Sequence, residues 1–303
     1  MQYFVLGGTG FLGTRLIEHL VEHGHKVDAL VRPGSALRLE HPALRAVQGN
    51  ALKEGPWQEY VGRADVVVNL VGTSVLARWT KEVKKRILLS RVLSTEAAVR
   101  GLTAKGGQIF FCANAVGYYG DRGDEILVEE SGPGEGFLSD VCKQWQHKAL
   151  EASERGHRVL VGRFAPVLDR AGGMMDLVLS VFKKGIGGKL GKGDQWMAWI
   201  HREDLVRAIR YLVEETSLSG PVNIASPSPV TNEEFTRTVG DVLGRPTLFK
   251  VPSFALKLVL HEGASAILSS ERAIPAKLQS IDFLFYFSEL RQAVEEIVQK
   301  DKG

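Results

Sequence analysis

Near the start of the chain, Gly7-Gly8-Thr9-Gly10-Phe11-Leu12-Gly13 has the residue types and spacing needed to hold a pyrophosphate. One glycine permits a tight turn, a second lets the backbone approach the phosphate oxygens, and the last lets a helix pack closely on the preceding strand. The amino end of that helix turns unpaired N–H groups and its positive dipole end toward negative charge. The motif directly follows the strand-forming run Tyr3-Phe4-Val5-Leu6, the context that separates a dinucleotide site from an ordinary turn. Nineteen positions after Gly13 stands Arg32, where an NAD-preferring chain carries an acid for the ribose 2′-hydroxyl. Asp28, the nearest acid, lies inside the strand. A guanidinium offers forked donors to a 2′-phosphate, and Arg38 can assist from the next turn, so the expected cofactor is NADP(H).

Proton chemistry has several candidates. Tyr118 and Tyr119 fall just beyond the fifth strand, at the carboxyl edge where open α/β sheets bind ligands. Either phenol could donate a proton, Asn114 could polarise an oxygen, and aromatic packing is the competing role for the pair. His201 is a candidate substrate contact, while Asp204 more simply caps or braces the helix that follows. Trp79, Trp145, Trp196 and Trp199 could wall a pocket or fill a core. The segment Gly185–Gly193, with Lys184, Lys189 and Lys192, reads equally as a wrap for anionic groups or as a flexible connector. His19 and His23 fall on the polar face of the first helix with no cysteine or carboxylate arranged around them, so no metal site is expected.

These residues need a scaffold, and the hydrophobic periodicity supplies one. Strands are expected at Tyr3–Leu6, Lys26–Val31, Leu44–Gln48, Asp65–Leu70, Gln108–Cys112 and Arg158–Val161. Helical spacing runs from Leu16 to Gly24, about Glu82 to Gly101 and about Leu138 to Ser153. This βαβ alternation predicts an α/β protein with a Rossmann doubly wound parallel sheet. Beyond Arg163 the rhythm breaks among glycines and prolines. Residues 1–165, rejoined by 197–225, are expected to form the NADP-binding Rossmann domain. Residues 166–196 and 226–303 are expected to form a smaller C-terminal substrate domain over the carboxyl ends of the strands. A net charge of +3, spread along the chain, argues against nucleic acid, and no apolar stretch reaches the roughly 18 residues of a membrane span. No basic leader precedes the first strand, and two cysteines make no disulfide framework, so a cytoplasmic protein is expected.

The chain resembles the extended short-chain dehydrogenase/reductase superfamily, and within it the atypical YfcH-like "sugar nucleotide epimerase family" branch. The likeness rests on the glycine motif, on Asn69-Leu70-Val71-Gly72, Arg78-Trp79-Thr80, Ser90-Arg91-Val92 and Ala115-Val116-Gly117-Tyr118-Tyr119-Gly120. It continues through Arg163-Phe164-Ala165-Pro166-Val167-Leu168, Gln195-Trp196-Met197-Ala198-Trp199-Ile200-His201, Gly220-Pro221-Val222-Asn223 and Pro229–Phe235. It implies cofactor contacts from Gly7, Thr9, Gly10, Phe11, Leu12, Gly13, Leu70, Val71 and Gly72. The superfamily's Tyr-x-x-x-Lys pair, in which lysine lowers the tyrosine pKa, has no counterpart at any of the six tyrosines. At the usual spacing before Arg163, Leu138 takes the tyrosine position and Cys142 the lysine position, where a thiol could sit beside the nicotinamide ribose. Arg91 replaces the usual helix asparagine, and Asn114 the branch's serine. The resulting expectation is an NADP(H)-dependent oxidoreductase or epimerase-like protein, acting on a small polar or nucleotide-linked substrate. The rival expectation is a non-catalytic NADP(H) sensor or scaffold, and oligomerisation is left open.

Overall fold

The computed structural model describes residues 1–299. Seven parallel strands form the central sheet: β1 (Gln2–Leu6), β2 (Lys26–Val31), β3 (Leu44–Gln48), β4 (Val66–Asn69), β5 (Ile109–Ala115), β6 (Arg158–Phe164) and β7 (Gly220–Ile224), in the order β7-β6-β5-β4-β1-β2-β3. The fold is thus the α/β doubly wound sheet expected from the sequence. Chain direction across the sheet reverses between β1 and β4, and this is where ligands enter such sheets. Val66, Val67 and Val68 have no solvent exposure, as a strand covered by helices on both faces requires.

β5 and β6 each run three residues past the apolar stretches visible in the sequence. The added register pairs Ala113 with Gly162, Asn114 with Arg163 and Ala115 with Phe164. Asn114 and the two terminal nitrogens of Arg163 find hydrogen-bond partners in their buried places, which no hydrophobic pattern could announce. Helices α1 (Phe11–Glu22) and α6 (Arg202–Glu214) pack together, and α3 (Lys81–Gly101) lies between α2 (Gln58–Arg63) and α4 (Phe137–Leu150). Thr80 caps α3, its hydroxyl oxygen accepting from Val83 N–H at 3.3 Å. His19 departs from expectation. It is buried, stacked on His23 with 4.2 Å between ring centroids and bonded to Arg210 at 3.2 Å, and burial lowers its pKa to about 4. The first helix turns this histidine toward α6, so its face there is not solvated.

A second hydrophobic cluster gathers α5 (Met174–Lys183), α7 (Asn232–Leu243) and the C-terminal helix Leu290–Gln299 around Trp199. Beside it lies α8 (Ser253–Leu260). Gly188–Leu190 is a short strand paired in parallel with Phe249–Val251, and Lys189 already meets Glu233 at 2.6 Å. The middle of the glycine-rich segment, Gly188–Leu190, is therefore a strand rather than a flexible connector.

Asp204, at the start of α6, ties the two cores together. Fully buried, it accepts hydrogen bonds from the backbone N–H groups of Tyr286 and Phe287 and from Arg207, each at 2.8 Å. Removing the carboxylate leaves the Tyr286 and Phe287 N–H groups without their acceptor, while Arg207 keeps the Leu284 carbonyl at 2.9 Å. Asp204→Ala is expected to cost roughly 3 kcal/mol or more, read as a lower midpoint in urea denaturation. A loss under about 1 kcal/mol would mean that water replaces the carboxylate there.

Candidate functional site

Gly7 adopts φ +85°, and a side chain on it would strike the Leu70 carbonyl carbon at 3.1 Å. At Gly13 a Cβ would sit 2.2 Å from the Gly7 carbonyl oxygen, so the helix can approach β1 this closely only with glycine. No side chain caps α1, which leaves its first N–H groups facing the crevice. Gly7, Thr9 and Gly10 line a cavity of about 560 Å³ together with Leu70, Val71 and Gly72 from the end of β4. Asn69 sets that second edge: its side-chain oxygen accepts from Val71 N–H at 3.1 Å, while its amide donates to Thr95 at 3.0 Å.

Arg32 lines the same cavity just past the end of β2, exposed and without a carboxylate partner among the described residues. Arg86, on α3, lines it as well, also exposed and without a partner among the described residues. Among the described residues no Asp or Glu lines this cavity. Arg86 was missed because nothing in the sequence marks one arginine among the cations of Lys81–Arg86. Arg38 is exposed but does not line the cavity, and Leu12 lies in the helix behind the loop.

A second cavity, also about 560 Å³, continues past Gly72 and Thr73 and is lined by Phe11, Arg91, Leu138, Cys142 and Glu271. Leu138 and Cys142 stand four residues apart on α4, so one face of the helix presents both. Burial pushes the Cys142 thiol up to about 12, which keeps it protonated and makes it a wall rather than a nucleophile. Arg91 spans the space beside Gly72, its guanidinium 5.2 Å from the Trp145 ring centroid and donating to the Ile87 carbonyl at 3.0 Å. Burial holds its pKa below the usual guanidinium range, and no carboxylate among the described residues pairs with it.

The four residues proposed for catalysis from sequence are not brought to this cavity. Tyr119 is wholly buried, donating to Asn223 Oδ1 at 2.7 Å and accepting from Arg163 at 2.8 Å, and burial raises its pKa to about 12. Tyr118 lies under the Arg163 guanidinium, 3.6 Å from ring centroid to carbon. The helical turn Val116–Tyr118 at the end of β5 swings both phenols behind the sheet edge. Asn114 is spent as a brace, donating to the Cys142 carbonyl at 3.0 Å and accepting from Ala115 N–H at 2.8 Å. His201 is 1% exposed: its Nδ1 caps α6 by accepting from Glu203 N–H, and its Nε2 meets Glu296 at 3.2 Å. Of the tryptophans, Trp145 and Trp199 are core with bonded indole N–H groups, whereas Trp196 lines a ligand-sized space.

Glu271 is the titratable group that the sequence left unnoticed. Its backbone is clamped, with N–H donating to the Trp196 carbonyl at 3.0 Å and carbonyl accepting from Ala198 N–H at 3.1 Å. Its carboxyl has no hydrogen bond or ion pair with any described residue. Burial, with the charge of Asp121 adding to it, raises the pKa to about 8. The group therefore holds a proton at neutral pH inside the cavity. Among the described residues no group of three or more His, Cys, Asp or Glu side chains could hold a metal ion, and no helix is long and apolar enough to cross a membrane.

A doubly wound parallel sheet, a glycine-built helix start at its switch point and a second lobe closing over the strand ends together define a dinucleotide-binding protein of the extended short-chain dehydrogenase type. The chain belongs to the NAD dependent epimerase/dehydratase family, whose model matches residues 3–225, and residues 251–297 match a domain of unknown function, DUF1731. It is 34% identical over 303 residues to the "Epimerase family protein SDR39U1 homolog, chloroplastic" of Arabidopsis thaliana, spanning 99% of this chain and 87% of that protein. It is 33% identical over 306 residues to the "Epimerase family protein SAR0825" of Staphylococcus aureus, spanning 99% of each. Among solved structures, the human epimerase family protein SDR39U1 with NADPH superposes with TM-score 0.85 at 29% identity, covering 99% of both chains.

Because its pKa is raised in the folded protein, Glu271 contributes stability below its ordinary carboxylate range that is lost as pH rises toward about 8. Glu271→Gln removes this dependence. The melting temperature of the variant is expected to gain on that of the parent as pH goes from 5 to 9, measured by differential scanning calorimetry. A difference independent of pH would show that Glu271 is already ionised at pH 5.

Proposed function

We propose that this protein binds NADP(H) and acts as an atypical short-chain dehydrogenase, an oxidoreductase or epimerase on a small substrate held between the sheet edge and the second lobe. The observation that carries the reading is the acid-free, doubly cationic end of β2. Arg32 and Arg86 flank a cavity without a carboxylate, which suits a 2′-phosphate and disfavours the ribose hydroxyl grip of NAD sites. The N–H groups at the start of α1 suit the diphosphate, and Leu70, Val71 and Gly72 suit the remainder. That the human relative's structure contains NADPH supports the same choice. When bound, the nicotinamide would supply or accept a hydride.

The chain's own residues would do the rest. Arg91 orients ligand oxygens by charge, and Phe11 closes one wall. Gly172 and Gly173, from the second lobe, approach Phe11 so closely that a side chain at Gly172 would lie 2.9 Å from its ring, which narrows the path for water. With Leu138 and Cys142 at the usual tyrosine and lysine positions, Glu271 is the cavity-lining group able to hold or release a proton, at its carboxyl oxygen. Those same apolar positions favour a second reading, a non-catalytic NADP(H) sensor. A large difference between NADP⁺ and NADPH affinities without turnover would support it. Both cysteines are buried and free, which suits a reducing compartment such as the cytoplasm.

Arg32→Ala is expected to weaken NADP(H) binding by roughly 1–3 kcal/mol and barely to alter NAD(H) binding, measured by calorimetry. Arg86→Ala is expected to act in the same direction. Equal losses for both cofactors would remove the 2′-phosphate assignment, and no uptake of either NADP form by the parent protein would remove the whole reading.

A further inference from the structure

The cavity beside Arg91 does not end at Glu271. Leu76, Pro166, Met174, Ala266, Ile267 and Glu271 line both it and a further chamber of about 400 Å³ under the second lobe, so the two spaces are neighbours across these side chains. The size falls in the range of small-molecule sites, about 300–1,000 Å³. Val178 and Phe182 from α5, Phe235 from α7 and Leu256 and Leu260 from α8 make its walls apolar, and Glu271 is its one ionisable side chain.

The mouth is apolar too. Leu177 and Ile186 line the chamber yet are 62% and 52% exposed, so the space opens to solvent between hydrophobic side chains. A soluble protein of this composition has no folding reason to keep such a lined space open, because filling it would gain dispersion contacts. A sugar nucleotide fits these walls poorly: its hydroxyls and phosphates would be stripped of water and find few donors or acceptors. Beyond the uncharged Asn232, Thr236 and Ser269, the chamber's polar group is Glu271, which it shares with the cavity that Arg91 lines.

We infer that the chamber is a binding site for an uncharged amphiphile, a carbonyl or alcohol with a hydrocarbon body, whose body lies among Val178, Phe182 and Leu256 and whose oxygen reaches the carboxyl of Glu271. This narrows the substrate class of the proposed enzyme and rests on that reading only in treating the Arg91 end as the reacting end. A carboxyl group that no described protein group satisfies, on a residue lining both a mostly apolar chamber and the cavity beside it, is satisfied by a ligand oxygen. Sequence alone pointed to a polar or nucleotide-linked substrate, and the lining opposes it.

The test needs no cofactor and no turnover. The purified protein is titrated with the uncharged fluorophore N-phenyl-1-naphthylamine, and the probe is then displaced with 2-decanone or UDP-glucose. Saturable uptake at one probe per chain is expected, with displacement by the ketone and not by the sugar nucleotide. Leu256→Arg, inside the chamber, and Ile186→Glu, at its exposed rim, should each weaken uptake about tenfold or more. NADPH affinity, measured separately, should stay unchanged and certify the fold. Phe254→Ser with Leu258→Ser alters the outer face of α8, where these residues are 72% and 76% exposed, and should leave uptake intact. The inference is overturned if uptake is absent, if it survives the chamber variants but not the α8 ones, or if UDP-glucose displaces the probe as well as the ketone. Ketone uptake without NADPH binding would uphold the chamber and sink the cofactor reading, and the reverse result would do the opposite.

Discussion

A backbone carbonyl set directly against a helix backbone governs this structure. The oxygen of Gly7 occupies the place that any side chain at Gly13 would need, and the Leu70 peptide closes over Gly7 from the other side. These contacts bring the start of α1 to the very end of β1 and open the crevice at the point where the sheet reverses direction. Parallel strands then deliver the ends of β2, β4 and β5 to the same edge, so that Arg32, Gly72 and the turn after β5 meet although they are far apart in the chain. The second lobe answers the same geometry, since its glycines at 172 and 173 leave room for Phe11 and little else.

The site divides into regions of different physical character. Around Arg32 and Arg86 it is open and cationic. Around Leu138 and Cys142 it is walled by uncharged groups, and the phenol and ammonium that short-chain dehydrogenases place there are missing. Deeper still it is mostly hydrocarbon, and among the described residues the one ionisable group lining it is a carboxyl whose charge the surroundings disfavour. An enclosed Glu and an unpaired Arg facing one cavity are costly for stability, and such costs concentrate where a ligand repays them.

Much of this was legible in the residues themselves. Six of the seven sheet strands, the glycine loop and the cation after β2 all depend on local spacing, and local spacing survives folding; the seventh strand, Gly220–Ile224, was not read from it. The proton-handling residues were not legible, for a common reason. Tyr118, Tyr119, Asn114 and His201 stand at positions whose chemistry is decided by the direction in which a side chain leaves the backbone. The turn after β5 sends the tyrosines under Arg163, a carbonyl of α4 takes Asn114, and the first turn of α6 takes His201 as its cap. Each is a polar residue consumed by the fold, and consumption is invisible until partners are known.

By itself, then, the sequence determined the α/β class, the dinucleotide crevice and the presence of a cation just after β2, because each follows from glycine sterics, strand periodicity and charge within a few dozen residues. Only tertiary structure decided that Glu271 joins the crevice and that the space behind it is apolar. Those walls come from segments between Leu76 and Glu271, spread over most of the chain, and their meeting is set by how two cores pack. A lone glutamate among Ser269, Ser270 and Arg272 carries no periodic or compositional mark. Its protonation depends on the loss of water around it, and that loss exists only once the second lobe has closed over the sheet.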